Sequence, residues 1–330
     1  MNESYFVPGR VNIIGEHTDY NNGLSLAFAI DRGVRVVVTP RIDNATWLVL
    51  ENHPAHEMGS NTTSHLSIAM AEAAWRRFPR AGVDVTVSSD LPDGAGLSSS
   101  AAYIGALCLA FGARGSLLDL ARAVQSCEAD VGSDVGLLDQ IATLGGAESS
   151  ALRIDFSHLS VEEVALPARW GFSVIHSEVP RALVDSAYRE RRRECEEIKH
   201  TIGSWSELTD GTLTQLPLTL QPRARHVFTE NRRVLVMMTC ARTDDLEGAG
   251  ALLNASHASL RDDFEVSTPV VDDLVARIQT LPGVHGARMI GGGFGGCILA
   301  VHEPGVSVTV SGHRSWSVRP SDGGLRYLGR

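Results

Sequence analysis

LPDGAGLSSSAAY, Leu91–Tyr103, is the stretch on which the fold reading turns. Gly94 and Gly96 permit tight turns and let a ligand approach the backbone closely. Ser98, Ser99 and Ser100 then stand where a helix is expected to begin, running from Ser98 to Phe111. Unpaired N–H groups and the helix dipole make such a start favourable for an anion, and serine hydroxyls there can also ligate a metal carried by that anion. The plainer alternative is a glycine turn with a serine N-cap. This loop alone does not separate the two.

Working outward, "RGVRVVVTPR", "ATWLVLE" and "GVDVTVSSDLP" read as strands before the loop. "SHLSIAMAEAAWRRF" has helical periodicity, with His65, Ile68, Ala69, Glu72 and Trp75 falling near one face. After the loop, "LLDLARAVQSCEADVG" continues as helix and "ALRIDF" returns as strand. From about Trp170 a new unit begins with the strand "GFSVIHSEV" and the long charged helix "SAYRERRRECEEIKHTIG". Further helices are expected at "RRVLVMMTCA", "DDLEGAGALLNASHASL" and "TPVVDDLVARIQTL", and "SWSVRPSDGGLRYL" closes as an edge strand and turn. Strands and helices mix without strict alternation, which favours an α+β fold. The expected domains are 1–168 and 169–330.

Composition narrows the function. With 43% apolar residues, the 330-residue chain can build real cores. A formal charge of −10 argues against nucleic acid as the main partner. No stretch resembles a membrane span or signal peptide, and no protein partner is implied. The five cysteines show no paired or CxxC spacing, so reduced thiols, a cytoplasmic location and no zinc site are expected. Lys199 is the only lysine, and it lies far from any glycine-rich loop. A P-loop ATPase and a protein kinase each need a lysine at the phosphates, so both are excluded.

Three other stretches carry candidate chemistry. "PGRVNIIGEHTDY", Pro8–Tyr20, crowds Arg10, Glu16, His17 and Asp19 around a strand-like "VNII". A core strand tolerates such charges only if they are paired or bind something. "QSCEADVGSDVGLLDQ" offers Glu128, Asp130, Asp134 and Asp139; Glu128 could reach a metal, and Asp139 is either a satisfied helix cap or a base. "ARMIGGGFGGC" packs five glycines around Phe294, which makes it a hinge or a place where backbone meets ligand.

In this order, these stretches resemble the three motifs of the GHMP kinases, small-molecule kinases that lack a P-loop. "GRVNIIGEHTDYNNG" is similar to the galactokinase branch, as are "AYRERRRECEE", "RARHVFTENRRV", "NASHASLRDDFEVS" and "GARMIGGGFGGC". The resemblance implies a two-domain GHMP fold: an N-terminal domain like domain 2 of ribosomal protein S5, a ferredoxin-like C-terminal domain, and an active site between them. It implies ATP-dependent phosphorylation of a sugar, most plausibly galactose, at the anomeric hydroxyl. Arg10 would sit beside the transferring phosphoryl group and Asp139 would act as base. Glu16, His17, Asp19, Gly136 and Tyr188 would face the sugar. Gly94, Ala95, Gly96, Leu97, Ser98, Ser99 and Ser100 would cradle the ATP phosphates, and Ser100 and Glu128 would hold Mg²⁺. The alternatives are a kinase for N-acetylgalactosamine or a pentose, or a non-catalytic sugar/ATP-binding regulator.

The chain also departs from that pattern. Few residues precede Pro8, and the region from Asn44 to Ser64 is abbreviated. "SHLSIAMAEAAW" replaces an aromatic helix near the adenine, so adenine contacts do not carry over. Val270 stands where the family tends to have glutamate. From Glu128 to Asp139 the chain is one residue shorter than usual, a helical rotation of about 100° that would misplace Glu128 unless a loop absorbs it. "RERRREC" reads as a solvated helix face after Tyr188, His226 and His257 as structural, and Trp75 and Trp170 as core.

Overall fold

A computed structural model describes residues 2–51, 53–60, 65–92, 94–133, 135–179 and 184–328. Its first sheet holds β1 (Glu3–Ile14), β2 (Leu24–Pro40), β3 (Thr46–Leu50), β4 (His56–Glu57), β5 (Val83–Ser89), β6 (Ser150–Asp155) and β7 (Ser160–Ala165). The order is β4-β3-β5-β2-β6-β7, with β1 also paired to β2; β3–β5 is parallel and the other pairings antiparallel. Among these strands run α1 (Leu66–Arg77), α2 (Ser99–Ala110), α3 (Leu117–Asp130) and α4 (Leu138–Gly145).

The second half opens on β8 (Gly171–His176), followed by α5 (Val184–Ile202), α6 (Asp210–Leu213), α7 (Gln221–Thr243), α8 (Leu246–Asp262) and α9 (Pro269–Gln279). It closes with β9 (Val284–Ile290), β10 (Cys297–His302), β11 (Ser315–Val318) and α10 (Gly324–Tyr327). The second sheet is antiparallel in the order β11-β8-β10-β9, so β11 is the expected edge strand. The glycine run from Gly291 to Gly296 joins β9 to β10 as a strand–loop–strand unit. Beyond β11 the chain returns to the first sheet, where α10 packs against β1 and α4. No helix among the described residues is long and apolar enough to cross a membrane.

β1 answers the puzzle of its charged sequence. Its last eight residues are buried without alternation, because α2 and α4 pack on it, as do α7, α8 and β9 from the other half. Register shifts between Pro8 and Arg10 and between Asn12 and Ile14 break the simple two-residue period. Such bulges re-aim side chains. Arg10 and, just beyond the strand, Glu16 are therefore core-embedded and paired, with Asp139 and Arg288 respectively.

In α1, Met70–Ala74 are the buried residues and His65 is exposed, because both α2 and α3 pack against this helix and bury a band of it. Two local expectations need correction. Ser98 does stand at the N-cap of α2, but it adopts a left-handed conformation (φ +62°) and its side chain makes no capping bond. "RERRREC" is not a uniformly solvated face: Arg191 is buried and ion-paired to Glu194 and Glu265. Its neighbours explain this, since Arg223 of α7 meets the same two carboxylates.

Candidate active site

A cavity of about 500 Å³ is lined by the end of β1 and the residues after it, the 94–100 loop, the 132–139 segment, the start of α5 and the first glycines after β9. Arg10 and Asp139, 129 positions apart, meet here. Arg10 Nε donates to Asp139 Oδ1 at 2.8 Å, Nη2 lies 2.7 Å from the same oxygen, and Nη1 donates to the Gly96 carbonyl at 2.7 Å. The Arg10 backbone N–H also donates to the Leu97 carbonyl. One side chain thus fixes the glycine loop and the carboxylate together. Asp139 is the second residue of α4, whose N-cap is Leu137, so it is not the cap.

The glycine loop is shaped by left-handed backbone at Gly94, Gly96 and Ser98. Gly94, Gly96, Ser98, Ser99 and Ser100 line the cavity, whereas Ala95 and Leu97 turn their side chains into the core and can offer only backbone. Ser98 Oγ is buried without a partner, a polar atom poised for an oxygen-rich ligand. Ser100 Oγ donates to Glu128 Oε1 at 2.7 Å, and Gln140 donates to the other carboxylate oxygen. Glu128 stands behind Ser100, outside the cavity lining, and burial pushes its carboxyl up. Glu128 and Asp139 lie on separate helices, α3 ending at Asp130 and α4 beginning at Leu138, so the one-residue shortening is not a rotation within one continuous helix. Asp130 is ion-paired to Arg77, and Asp134 lies outside the described residues.

Glu16, His17, Asp19, Gly136 and Tyr188 line the other part of the cavity. Gly136 is a steric necessity, since a Cβ there would lie 1.7 Å from Asp19 Oδ2. His17 has φ +62°, and its Nδ1 lies 2.8 Å from the Tyr20 hydroxyl, while Nε2 is buried without a partner. Its ring stacks on Phe264 and Tyr188. Burial, reinforced by nearby His226, lowers its pKa to about 3, so the ring is neutral near pH 7.

Burial, with the Asp139 charge next in size, raises the Asp19 carboxyl to about 6. An acid whose pKa is raised on folding costs stability above that value, and the cost vanishes as pH falls below its unfolded value near 3.8. Asp19→Asn is therefore expected to stabilise the ligand-free protein at pH 7.5 by about 1–3 kcal/mol. Thermal melts at pH 7.5 and pH 5 check it: the gain must shrink at the lower pH, and equal melting of both proteins at pH 7.5 would refute it.

Two arginines, Arg288 and Arg189, had no sequence-based expectation at the site, whereas the glycine run had one. Arg288 is fully buried on β9; it donates through Nε to the Ile13 carbonyl and through Nη2 to the Asn12 carbonyl and to Glu16 Oε1. The Gly291 N–H donates to that same Glu16 oxygen at 2.9 Å, so the glycine run holds a carboxylate as well as lining the cavity with Gly291 and Gly292. Arg189, expected to be merely solvated, lines the cavity beside Tyr188. A lone arginine inside the apolar run "ARMI" was the available signal for Arg288, because an unpaired charge is not tolerated there.

Comparison with known proteins decides the family. The galactokinase galactose-binding signature matches residues 3–40, and the N-terminal and C-terminal GHMP kinase domain models match 65–147 and 237–308. A galactokinase from Roseiflexus sp. (strain RS-1) is 36% identical over 325 residues, covering 90% of this chain and 82% of that protein. One from Mycobacterium tuberculosis (strain ATCC 25177 / H37Ra) is 39% identical over 332 residues, covering 91% and 89%. The chain belongs to the galactokinase family. The Lactococcus lactis galactokinase solved with galactose superposes with a TM-score of 0.85 at 29% identity, covering 98% of this chain and 94% of that one. A mevalonate kinase structure shares the fold at a TM-score of 0.70 and 15% identity, covering 97% of this chain and 99% of its own. The two-domain GHMP arrangement expected from the sequence is thus the fold of this galactokinase-family chain, and its mixed strands and helices are α+β.

Proposed function

We propose that this chain transfers the γ-phosphoryl group of ATP to the anomeric oxygen of galactose, giving the sugar 1-phosphate and ADP. The observation that carries this reading is the Arg10–Asp139 pair, which stands where the glycine loop and the Glu16–His17–Asp19 cluster share one cavity. Asp139 accepts the proton from the anomeric hydroxyl as the new O–P bond forms and the bond from phosphorus to the ADP oxygen breaks. Arg10 lies beside the equatorial oxygens of the transferring group, in the role a lysine plays in P-loop enzymes. Gly94–Ser100 offer backbone N–H groups at the start of α2 to the nucleotide phosphates. Glu16, His17, Asp19 and Tyr188 supply the acceptors and donors that a polyhydroxylated ligand requires, and Gly136 leaves room for Asp19.

Ser100 lines the cavity and donates its hydroxyl hydrogen to Glu128, so its oxygen would be left to hold Mg²⁺, with Glu128 orienting the hydroxyl from behind. The metal would neutralise phosphate charge there. Five free, buried cysteines agree with a reducing compartment, and we place the chain in the cytoplasm. The division into two lobes falls near residue 168, where the first sheet ends at Ala165 and the second begins at Gly171.

The test is to incubate the purified chain with ATP, Mg²⁺ and a sugar panel, following ADP and identifying the product. Galactose is expected to be consumed with phosphate on its anomeric oxygen, well ahead of N-acetylgalactosamine and pentoses. Saturable galactose binding without ADP formation would replace the enzyme by a sensor.

A further inference from the structure

We propose that His226, Glu230 and Asn231 of α7 hold the sugar-binding loop in its binding shape, with Glu230 as the central positioning residue. The segment "RARHVFTENRRV" supplies all three, and none of their side chains lines the cavity. The loop from Gly15 to Leu24 has positive φ at Gly15, His17 and Asn22. Conformations of that kind persist only where the surroundings over-determine them. Part of the support is internal: Thr18 Oγ1 donates to the Gly15 and Leu24 carbonyls, and the Thr18 carbonyl accepts from Asn21 and Gly23.

Three backbone groups of the loop are instead met by α7. The Gly15 N–H donates to Glu230 Oε1 at 2.9 Å. His226 Nε2 lies 3.1 Å from the Glu16 carbonyl, and the Leu24 N–H donates to Asn231 Oδ1 at 2.7 Å. These contacts grip the loop at both ends and at Glu16 itself. His226 and Glu230, four residues apart, share one helix face, and Asn231 meets the other end of the loop from about 100° further round the helix.

Glu230 is the most telling member. Its side chain is fully buried, where a carboxylate is costly unless paired and hydrogen-bonded. Arg233 Nε at 2.6 Å and Ser256 Oγ at 2.7 Å, together with Gly15, complete its partners. An apolar residue would fill the space; only an acceptor can fix the Gly15 N–H that precedes Glu16 and His17. Since Glu230 touches no substrate in this arrangement, its influence on the sugar passes through those two residues.

This inference rests on the galactose-kinase reading above. Glu230→Met, which fills the space without an acceptor, and the milder Asn231→Ala are compared with the wild type for the KM of galactose, the KM of ATP, galactose affinity by calorimetry without ATP, and melting temperature. The galactose KM is expected to rise about 10-fold or more in Glu230→Met and about 3-fold or more in Asn231→Ala, with the ATP KM within about 2-fold of wild type. The calorimetric Kd should move in step. A lowered melting temperature with unchanged galactose KM and Kd would overturn the proposal, leaving α7 a merely structural helix. Asn231→Ala answers the question if Glu230→Met does not fold. A wild type that does not phosphorylate galactose would instead bring down the functional reading itself.

Discussion

Replacing Asp139 by asparagine is expected to lower kcat by about 10²–10⁴-fold, the range that a positioned general base contributes. Asparagine keeps the volume and an oxygen for Arg10 Nε and Nη2, so the glycine loop stays tied to α4. What it removes is the ability to take the proton of the attacking hydroxyl. The loss should therefore fall on turnover, with the galactose KM changed far less, and steady-state kinetics separate the two. Wild-type turnover in this variant would take Asp139 out of the mechanism.

Arg10→Ala carries the second large effect, a fall in kcat of about 10²–10³-fold, or about 3–4 kcal/mol of transition-state stabilisation. All three guanidinium nitrogens are engaged, two on Asp139 and one on the Gly96 carbonyl. Truncation leaves Asp139 without its cation and frees the glycine loop at Gly96, so the ATP KM should rise as well. Arg10→Lys is not expected to rescue turnover, because one ammonium cannot span the two directions that the planar fork covers. Full recovery by lysine would mean that charge alone matters here. Melting temperature is the control for folding, since Arg10 also sits in a strand buried along most of its length.

Much of the site was legible before any coordinates. The Gly94–Ser100 loop, the Arg10–Asp19 crowd and the carboxylate in "GLLDQ" are each conspicuous because glycine runs and charges beside apolar segments are costly without a purpose. Their joint role came from similarity to a family, and spacing alone did not give it. Ser98 stands at the cap position, but composition cannot reveal the left-handed φ that leaves its side chain without a capping bond. Arg191 reads as solvated from the sequence because, beside Glu194 three residues on, its burial depends on Glu265 and Arg223, which only the fold brings to it.

The amino-acid sequence by itself determined the order of strands and helices around the glycine loop, the absence of a phosphate-binding lysine, and which carboxylates and arginine were candidates. Those are local properties, written in periodicity and residue chemistry. Only the tertiary structure decided that Arg10 reaches Asp139, that Gly136 lies against Asp19, and that Arg288 and Glu230 bond the segment from Asn12 to Glu16 from the other half of the chain. Burying a charge is tolerable only where a partner arrives with the right geometry, and which partner arrives is set by how distant segments pack.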